Sequence, residues 1–343
     1  MNYSTRVLED CFNKAFKEKQ PILVCKHPKS TSVHIYQSDP VQAKKSKIKL
    51  QSFDSSKQGV EFNVSKHIIL AAKELRKSFR ACDTESFEED FQQYKELFEK
   101  AQKFLNEGNQ KIVISRKIEQ RLKVDQCSLF RYLMSSFDNA FVYMLYHPLF
   151  DIWIGATPEL LAEVNDIKLK TTALAGTTTA AEGQSPQWRE KELLEQEIVQ
   201  NELETQFNKH EISYHKEPTT NFKYGHLYHL KTDFLAELES HQKAVEAVSI
   251  LHPTSAVCGF PRDKARAFIL EHENYNRELY TGYIGIIHQY SASFYVNLRC
   301  MKIRDSKVSL FVGGGLNQSS ILTEEFDETN QKAKVLLDIL NVS

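Results

Sequence analysis

Two stretches of the chain each carry a pair of glutamates three residues apart on a helical pattern. Glu192 and Glu195 lie in QWREKELLEQEIVQNELETQ, a helix expected over 187–206, and Glu325 and Glu328 lie in TEEFDETNQKAKVLL, within a helix expected over 323–340. Residues at that spacing are neighbours on a helix surface, and like charges there weaken the helix slightly unless a cation sits between them. Two such helices facing each other would offer oxygen ligands to magnesium, which keeps several waters and needs only one or two direct carboxylates. Solvated helix acidity is the plainer account of the same spacing, and both readings stay open. Glu159 is a different kind of carboxyl. It follows Pro158 in GATPELL and precedes apolar residues and a short strand, Leu161 to Val164. A carboxyl placed there is partly desolvated, which raises its pKa and suits a general acid; a turn or capping carboxylate is the bland alternative. Lys111 opens the strand KIVISR, and taken alone it reads as an end charge. Gly313-Gly314-Gly315 follow a strand pattern, Lys307 to Val312, and precede the helix that carries Lys332. Three glycines let backbone N–H groups come close to an anion.

The elements that must position these groups are readable in outline. Residues 1–18 and 91–105 repeat apolar residues at helical spacing, the second helix preceded by a Ser86/Glu89 capping box and stopped at Gly108. Residues 117–138 also read as helical. Strands are expected at Pro21 to Cys25, Lys111 to Arg116, Phe141 to Tyr146, Leu149 to Gly155, Lys168 to Gly176, Ala247 to Leu251, Tyr283 to Tyr290 and Ser293 to Cys300. Alternation along KIVISR separates Lys111, Val113 and Ser115 from Ile112, Ile114 and Arg116. The lysine cluster AKKSKIKL reads as a solvated edge strand or loop. The stretch from Leu251 to Gly285 is the most distinctive: His252-Pro253-Thr254 starts on a restricted backbone, Gly259 and Pro261 turn the chain, and Arg262 to Glu271 forms a short helix.

Composition bounds the rest. The chain has 343 residues, 41% hydrophobic and 26% charged, which is ordinary for a folded globular protein. A net charge of -1 gives no basic surface for nucleic acid. No run approaches the roughly 20 apolar residues that span a bilayer. The six cysteines are widely spaced without CxxC, and no secretory leader is evident, so reduced thiols and a cytoplasmic location are expected.

Taken in order, KIVISR, GATPELL, TALAGT, KELLEQEIV, HPTSAVCGFP, LYTGYIG, VNLRC, FVGGGL and EEFDETNQKA resemble the catalytic domain of the chorismate-utilising enzymes, the family of isochorismate, salicylate, anthranilate and aminodeoxychorismate synthases. The likeness runs from about residue 90 to the C-terminus, with residues 1–90 less distinctive. It implies a single α/β (α+β) domain, residues 1–343, of two large antiparallel sheets sandwiched by helices, as in anthranilate synthase component I.

The resemblance also implies roles. Alanine stands at Ala175, where some aminodeoxychorismate synthases carry a lysine that forms a covalent intermediate. Lys111 matches the position where isochorismate and salicylate synthases place the base that activates water. An isochorismate synthase is therefore expected: Lys111 as base, Glu159 as acid, water adding at C2 of chorismate as the C4 hydroxyl leaves. Glu195 and Glu328 would hold Mg²⁺ on the ring carboxylate, with Glu192 and Glu325 acting through water. Arg299 and Tyr280 would grip the enolpyruvyl carboxylate. The Leu174-Ala175-Gly176-Thr177 turn and Gly313 would lend backbone groups. His252 would reach the ring, Lys332 would lie by the metal cluster, and Ala256 and Leu298 would shape the wall. The product would feed menaquinone or catechol siderophore synthesis. Chorismate is the expected partner, with no nucleic acid, membrane or amidotransferase subunit, and a monomer by analogy. Salicylate synthase is the runner-up, followed by an ammonia-using synthase component and a non-catalytic chorismate-binding regulator.

Overall fold

A computed structural model describes residues 2–38, 46–76, 91–121, 125–179, 185–224, 227–305 and 307–340. Two antiparallel sheets dominate it. The first runs, in spatial order, through Gly259–Phe260, Lys111–Arg121, Lys307–Leu316, Cys300–Arg304, Asp151–Thr157, Phe141–His147, Ile22–Lys26, Ser32–Gln37 and Lys66–Ala71. The second runs through Tyr214–Lys216, Leu227–Glu237, Lys168–Thr179, Leu160–Asn165, Ser291–Val296, Tyr283–Ile287, Lys47–Gln51 and Val60–Asn63, with Thr220–Tyr224 also paired to Leu227–Glu237.

Successive side chains point to opposite faces, and both faces of the first sheet's central strands are covered, so Phe141–His147 is buried along its whole length. In FVYMLYH, Phe141, Tyr143 and Leu145 enter a core shared with Ile48, Leu50, Ile284, Ile286 and Tyr295 of the second sheet. Val142, Met144 and Tyr146 point the other way, into a core with Leu8 and Phe12 of helix Tyr3–Lys17, Phe130 and Leu133 of helix Gln126–Ser136, and Leu336 of helix Leu322–Leu340. The outer face of the second sheet is covered by helices Glu190–Lys209 and His241–Ala247, through Val199, Leu203, Phe207, Ala244 and Ala247. Helices Phe91–Asn106 and Arg262–His272 close over Ile112, Ile114 and Leu316, at the edge where Lys111 begins. The result is the two-sheet, helix-sandwiched architecture expected.

Several local expectations give way to tertiary pairing. Where a helix is predicted over 117–138, the strand continues to Arg121 because Lys117 to Arg121 pair with Phe311 back to Lys307; the helix starts only at Gln126, capped by Asp125, whose carboxylate accepts from Ser128 N at 2.9 Å. The predicted strand Ala247 to Leu251 is the end of helix His241–Ala247 and a 3₁₀ turn, Val248–Leu251. The Ser293 to Cys300 strand is broken: Val296 ends one strand, Arg299 takes a left-handed φ of 47°, and Cys300 starts a strand of the other sheet. The strand predicted to Tyr290 stops at Ile287, where His288 N closes a turn on Ser291 O at 2.7 Å. The Leu149 to Gly155 strand is shifted to Asp151–Thr157. Residues 43–45 of the lysine cluster lie outside the described residues, and the rest leads into an interior strand, Lys47–Gln51, whose Ile48 and Leu50 are buried. The Ser86/Glu89 capping box and Cys82 lie outside the described residues; the other five cysteines are free thiols.

Candidate active site

Lys111 and Glu159 come from the two ends of the sheet-to-sheet construction. Lys111 pairs with Phe260 at the start of its strand, and its side chain runs past Gly315: a Cβ on that glycine would lie 3.1 Å from Lys111 Cε. Glu159 sits in the crossover between Asp151–Thr157 of the first sheet and Leu160–Asn165 of the second. Its N–H donates to Thr157 Oγ1 at 3.3 Å and its carbonyl accepts from Val296 N at 3.0 Å. Burial pushes the Glu159 carboxyl up to about 7, against the pull of the Lys111 charge. Burial also lowers the Lys111 ammonium, opposed by Glu195 and Glu159 and assisted by Lys332. The two groups therefore feel one another, and each is biased toward its neutral form. A neutral amine can take a proton and a neutral carboxyl can give one, so the pair suits coupled acid and base work near neutral pH.

Of the glutamates of the two helices, Glu195 reaches Lys111 by its charge, and Glu192 and Glu328 are ion-paired within their own helix ends. Glu192 accepts from Arg189 N at 3.0 Å and is gripped by the Arg189 guanidinium, which holds its carboxyl below the usual range. Glu195 acts on Lys111. Glu325 accepts from Ser320 Oγ at 2.7 Å; burial and Glu328 raise its pKa, and Lys191 and Lys332 lower it. Glu328 pairs with Lys332 Nζ at 2.6 Å, and the same ammonium donates to Gly313 O at 2.9 Å. The charge of Lys191, in the first turn of one helix, reaches Glu325, in the first turn of the other, so the N-terminal turns of the two helices lie within electrostatic reach of each other. Among the described residues, no three His, Cys, Asp or Glu side chains gather round one point as a closed metal cluster. The donor set still fits Mg²⁺, which asks for hard oxygens, one or two direct carboxylates and several waters.

Glycines let these parts approach. Gly176 has φ +67°, and a Cβ there would stand 2.9 Å from Glu192 O and 3.2 Å from Glu192 Cβ. Gly313, paired with Ser115, would meet the Tyr280 hydroxyl at 3.0 Å. A Cβ added at Gly314 would lie 3.5 Å from Glu325 Oε2.

The remaining predicted positions distribute around the same region. Tyr280 is buried against Phe311, with the Arg277 guanidinium 5.8 Å from its ring. Arg299 is exposed, and its carbonyl accepts from Ala156 N at 3.2 Å, which ties its turn to the strand leading to Glu159. Leu298 and Ala256 are half-buried and Leu174 is exposed; Ala175 packs partly against the second sheet's core, and the Thr177 backbone pairs with His229. His252 is buried and neutral, its pKa lowered to about 4 by burial. Its Nε2–H donates to Ser52 O at 3.0 Å, so that nitrogen is engaged by backbone.

Some positions that brace the site escape the sequence pattern. Glu273 accepts from Ser115 N and Ser115 Oγ, both at 2.8 Å, on the Lys111 strand, and pairs with buried Arg277. Arg277 in turn donates to Val113 O at 2.8 Å and Val257 O at 3.0 Å. This buried pair joins the Lys111 strand to the HPTSAVCG segment. Asn297 receives the Tyr143 hydroxyl at 2.6 Å and donates to Leu279 O at 2.9 Å, bracing the turns that carry Tyr280 and Arg299. Both Glu273 and Arg277 lie in the distinctive Leu251 to Gly285 stretch. An acid and a base four apart in a helix-to-strand connection, ENYNR, are the available signal.

Stacked antiparallel sheets, an amine and a carboxyl both biased to neutrality, and carboxylates from two helices define the α/β scaffold and its candidate site. The chain belongs to the chorismate binding enzyme family, whose match covers residues 33–341. It is 28% identical over 246 residues to isochorismate synthase EntC of Escherichia coli, covering 68% of this chain and 62% of that protein. It is 24% identical over 265 residues to anthranilate synthase component 1 of Aquifex aeolicus, covering 74% and 53% respectively. The chain thus spans roughly half to three fifths of the length of these relatives. Its fold matches the menaquinone-specific isochorismate synthase MenF of Escherichia coli with a TM-score of 0.78, at 22% identity, over 93% of this chain and 88% of that one. Anthranilate synthase component I of Streptococcus pneumoniae matches with a TM-score of 0.73, at 17% identity, over 93% and 92%.

Proposed function

We propose that the protein is an isochorismate synthase, a Mg²⁺-dependent isomerase that adds water at C2 of chorismate as the C4 hydroxyl leaves. The observation that carries this reading is the Lys111–Glu159 pair. Water addition needs a neutral base, and departure of hydroxide needs an acid still protonated near pH 7. Burial moves the Lys111 amine and the Glu159 carboxyl in these two directions. Likeness to isochorismate synthases supports the same reading, and alanine at 175 removes the lysine of the covalent route.

Lys111 takes a proton from water, and Glu159 gives one to the departing hydroxyl. The double bonds shift between the two events, so the atoms of chorismate and product are the same. Tyr280 and Arg299 receive the enolpyruvyl carboxylate, for which an arginine fork is well shaped. Glu195 and Glu328 would hold Mg²⁺ directly, Glu192 and Glu325 through water, and the bound ion would neutralise and fix the ring carboxylate. Lys332, already on Glu328 and Gly313 O, keeps the second helix and the glycine strand in step.

The test is a product assay on chorismate with Mg²⁺ and no ammonia. Isochorismate from the wild type, lost by at least a hundredfold in Lys111→Ala while the variant stays folded by circular dichroism, is expected. Wild-type turnover in Lys111→Ala rejects lysine as the base. An aromatic amine formed only on adding ammonium rejects the isochorismate reading altogether.

A further inference from the structure

Two of the glutamates proposed for the metal, Glu192 and Glu328, are already paired with a cation of the chain, and one of those cations is built to leave. Arg189 grips Glu192 through its guanidinium: Nε lies 3.1 Å from both carboxylate oxygens, and Nη2 also bonds Oε1. The Glu192 side chain is only 5% exposed, whereas that of Arg189 is 79% exposed. The carboxylate is therefore fixed in the protein, and the guanidinium can swing into water at small desolvation cost. The other cations are less free to leave. Lys111 is half-buried beside Gly315, and Lys332 is tied to Gly313 O as well as Glu328.

Departure of the guanidinium would not unfasten Glu192. Its Oε2 accepts the Arg189 backbone N–H at 3.0 Å, a bond at the helix N-terminus that the side-chain movement leaves intact. Oε1 is held by the guanidinium and would be released from it.

We propose that Arg189 is a displaceable counter-ion that occupies Glu192 until a divalent cation arrives, and so lowers the affinity of the substrate-free protein for Mg²⁺. This rests on the metal part of the functional reading above. It makes Arg189 a positioning residue: it touches no reacting atom, and it sets when the cage becomes available.

The test is calorimetric titration of the full chain with MgCl₂, without chorismate, repeated with Mn²⁺ by electron paramagnetic resonance. Arg189→Gln should bind Mg²⁺ about three- to tenfold more tightly than wild type, the modest gain expected when one exposed competing charge is removed. Arg189→Lys keeps the charge and loses the two-pronged grip, so it should tighten binding by an intermediate factor. In a Glu192→Gln background, Arg189→Gln should have no effect. Unchanged or weaker binding in Arg189→Gln overturns the inference. So does an Arg189→Lys affinity equal to wild type, which would assign the effect to net charge rather than displacement. No Mg²⁺ binding by either protein also overturns it. Isochorismate production is scored separately: product with no affinity change sinks only the counter-ion, whereas no product sinks the functional reading and leaves the affinity comparison standing.

Discussion

At the scale of the residue, the environment of Glu159 sets activity against stability. Its carboxyl, ordinarily at 4.5, is raised to about 7 in the folded chain. Below about 4.5 it is neutral in both folded and unfolded chains. As pH rises from there to about 7, the unfolded carboxyl ionises first, so the unfolded chain holds fewer protons and stability falls. Above 7 the loss is complete, at most about 3 kcal/mol for a shift of this size. Glu159→Gln should therefore be more stable than wild type at pH 8, by up to about 3 kcal/mol, with the gain vanishing near pH 4; urea denaturation at the two pH values checks this. The same variant should lose isochorismate formation, by about a hundredfold or more. In the wild type, kcat/KM should fall as pH rises through about 7, because the acid is then ionised. Protonation of Lys111 should also lower it, at a pH below that of an ordinary lysine ammonium. An alkaline limb that persists unchanged in the residual activity of Glu159→Gln would assign that limb to another group. The desolvation of Glu159 was readable from Pro158 and the apolar residues after it. The desolvation of Lys111 was not: burial beside Gly315 depends on a strand some 200 positions away, and spacing along one strand carries no such information.

At the scale of the element, the critical contact is between a strand and the first turn of a helix. Gly176 interrupts the pairing of Lys168–Thr179 with Leu227–Glu237, in a left-handed conformation, directly against Glu192. A methyl group there meets a backbone oxygen at 2.9 Å, and the left-handed backbone itself costs an L-residue about 1–2 kcal/mol. Gly176→Ala should destabilise the protein by about 1–3 kcal/mol in urea denaturation. By pushing the helix outward it should also raise the Mg²⁺ concentration needed for half-maximal turnover; an unchanged Mg²⁺ dependence would separate Gly176 from the carboxylate site. The long helices were legible because their apolar stripes survive in the fold: Phe326, Ala333, Leu336, Leu337 and Ile339 are all buried. The errors lie where tertiary pairing overrides local pattern. Lys117 and Glu119 look like a helix surface, yet Phe311 and Ser309 recruit them into a ladder. Asn297 and Arg299 look like strand interior, yet the chain leaves one sheet for the other between them and Cys300.

At the scale of the whole molecule, the site belongs to neither sheet alone. Lys111 and Gly313 to Gly315 come from the first sheet, Gly176 from the second, and Glu159 from the crossover between them. The carboxylates come from one helix on each side: Glu190–Lys209 packs on the second sheet, and Leu322–Leu340 packs on the first. A ligand bridging the two helices therefore ties the two halves of the sandwich together. Anything that binds the folded chain and not the unfolded one stabilises it by RT ln(1 + [L]/Kd), about 2.7 kcal/mol at a hundredfold excess over Kd. For a chain of this size that corresponds to a rise in Tm of roughly 2–4 °C per kcal/mol or less. Mg²⁺ and chorismate together should raise Tm by more than the sum of their separate shifts, because the ring carboxylate supplies ligands that the ion otherwise takes from water. EDTA should abolish both the synergy and the turnover, and Mg²⁺ should restore them. Equal shifts for chorismate with and without Mg²⁺ would mean that the acid binds without the ion, and that the facing glutamates are helix surface after all.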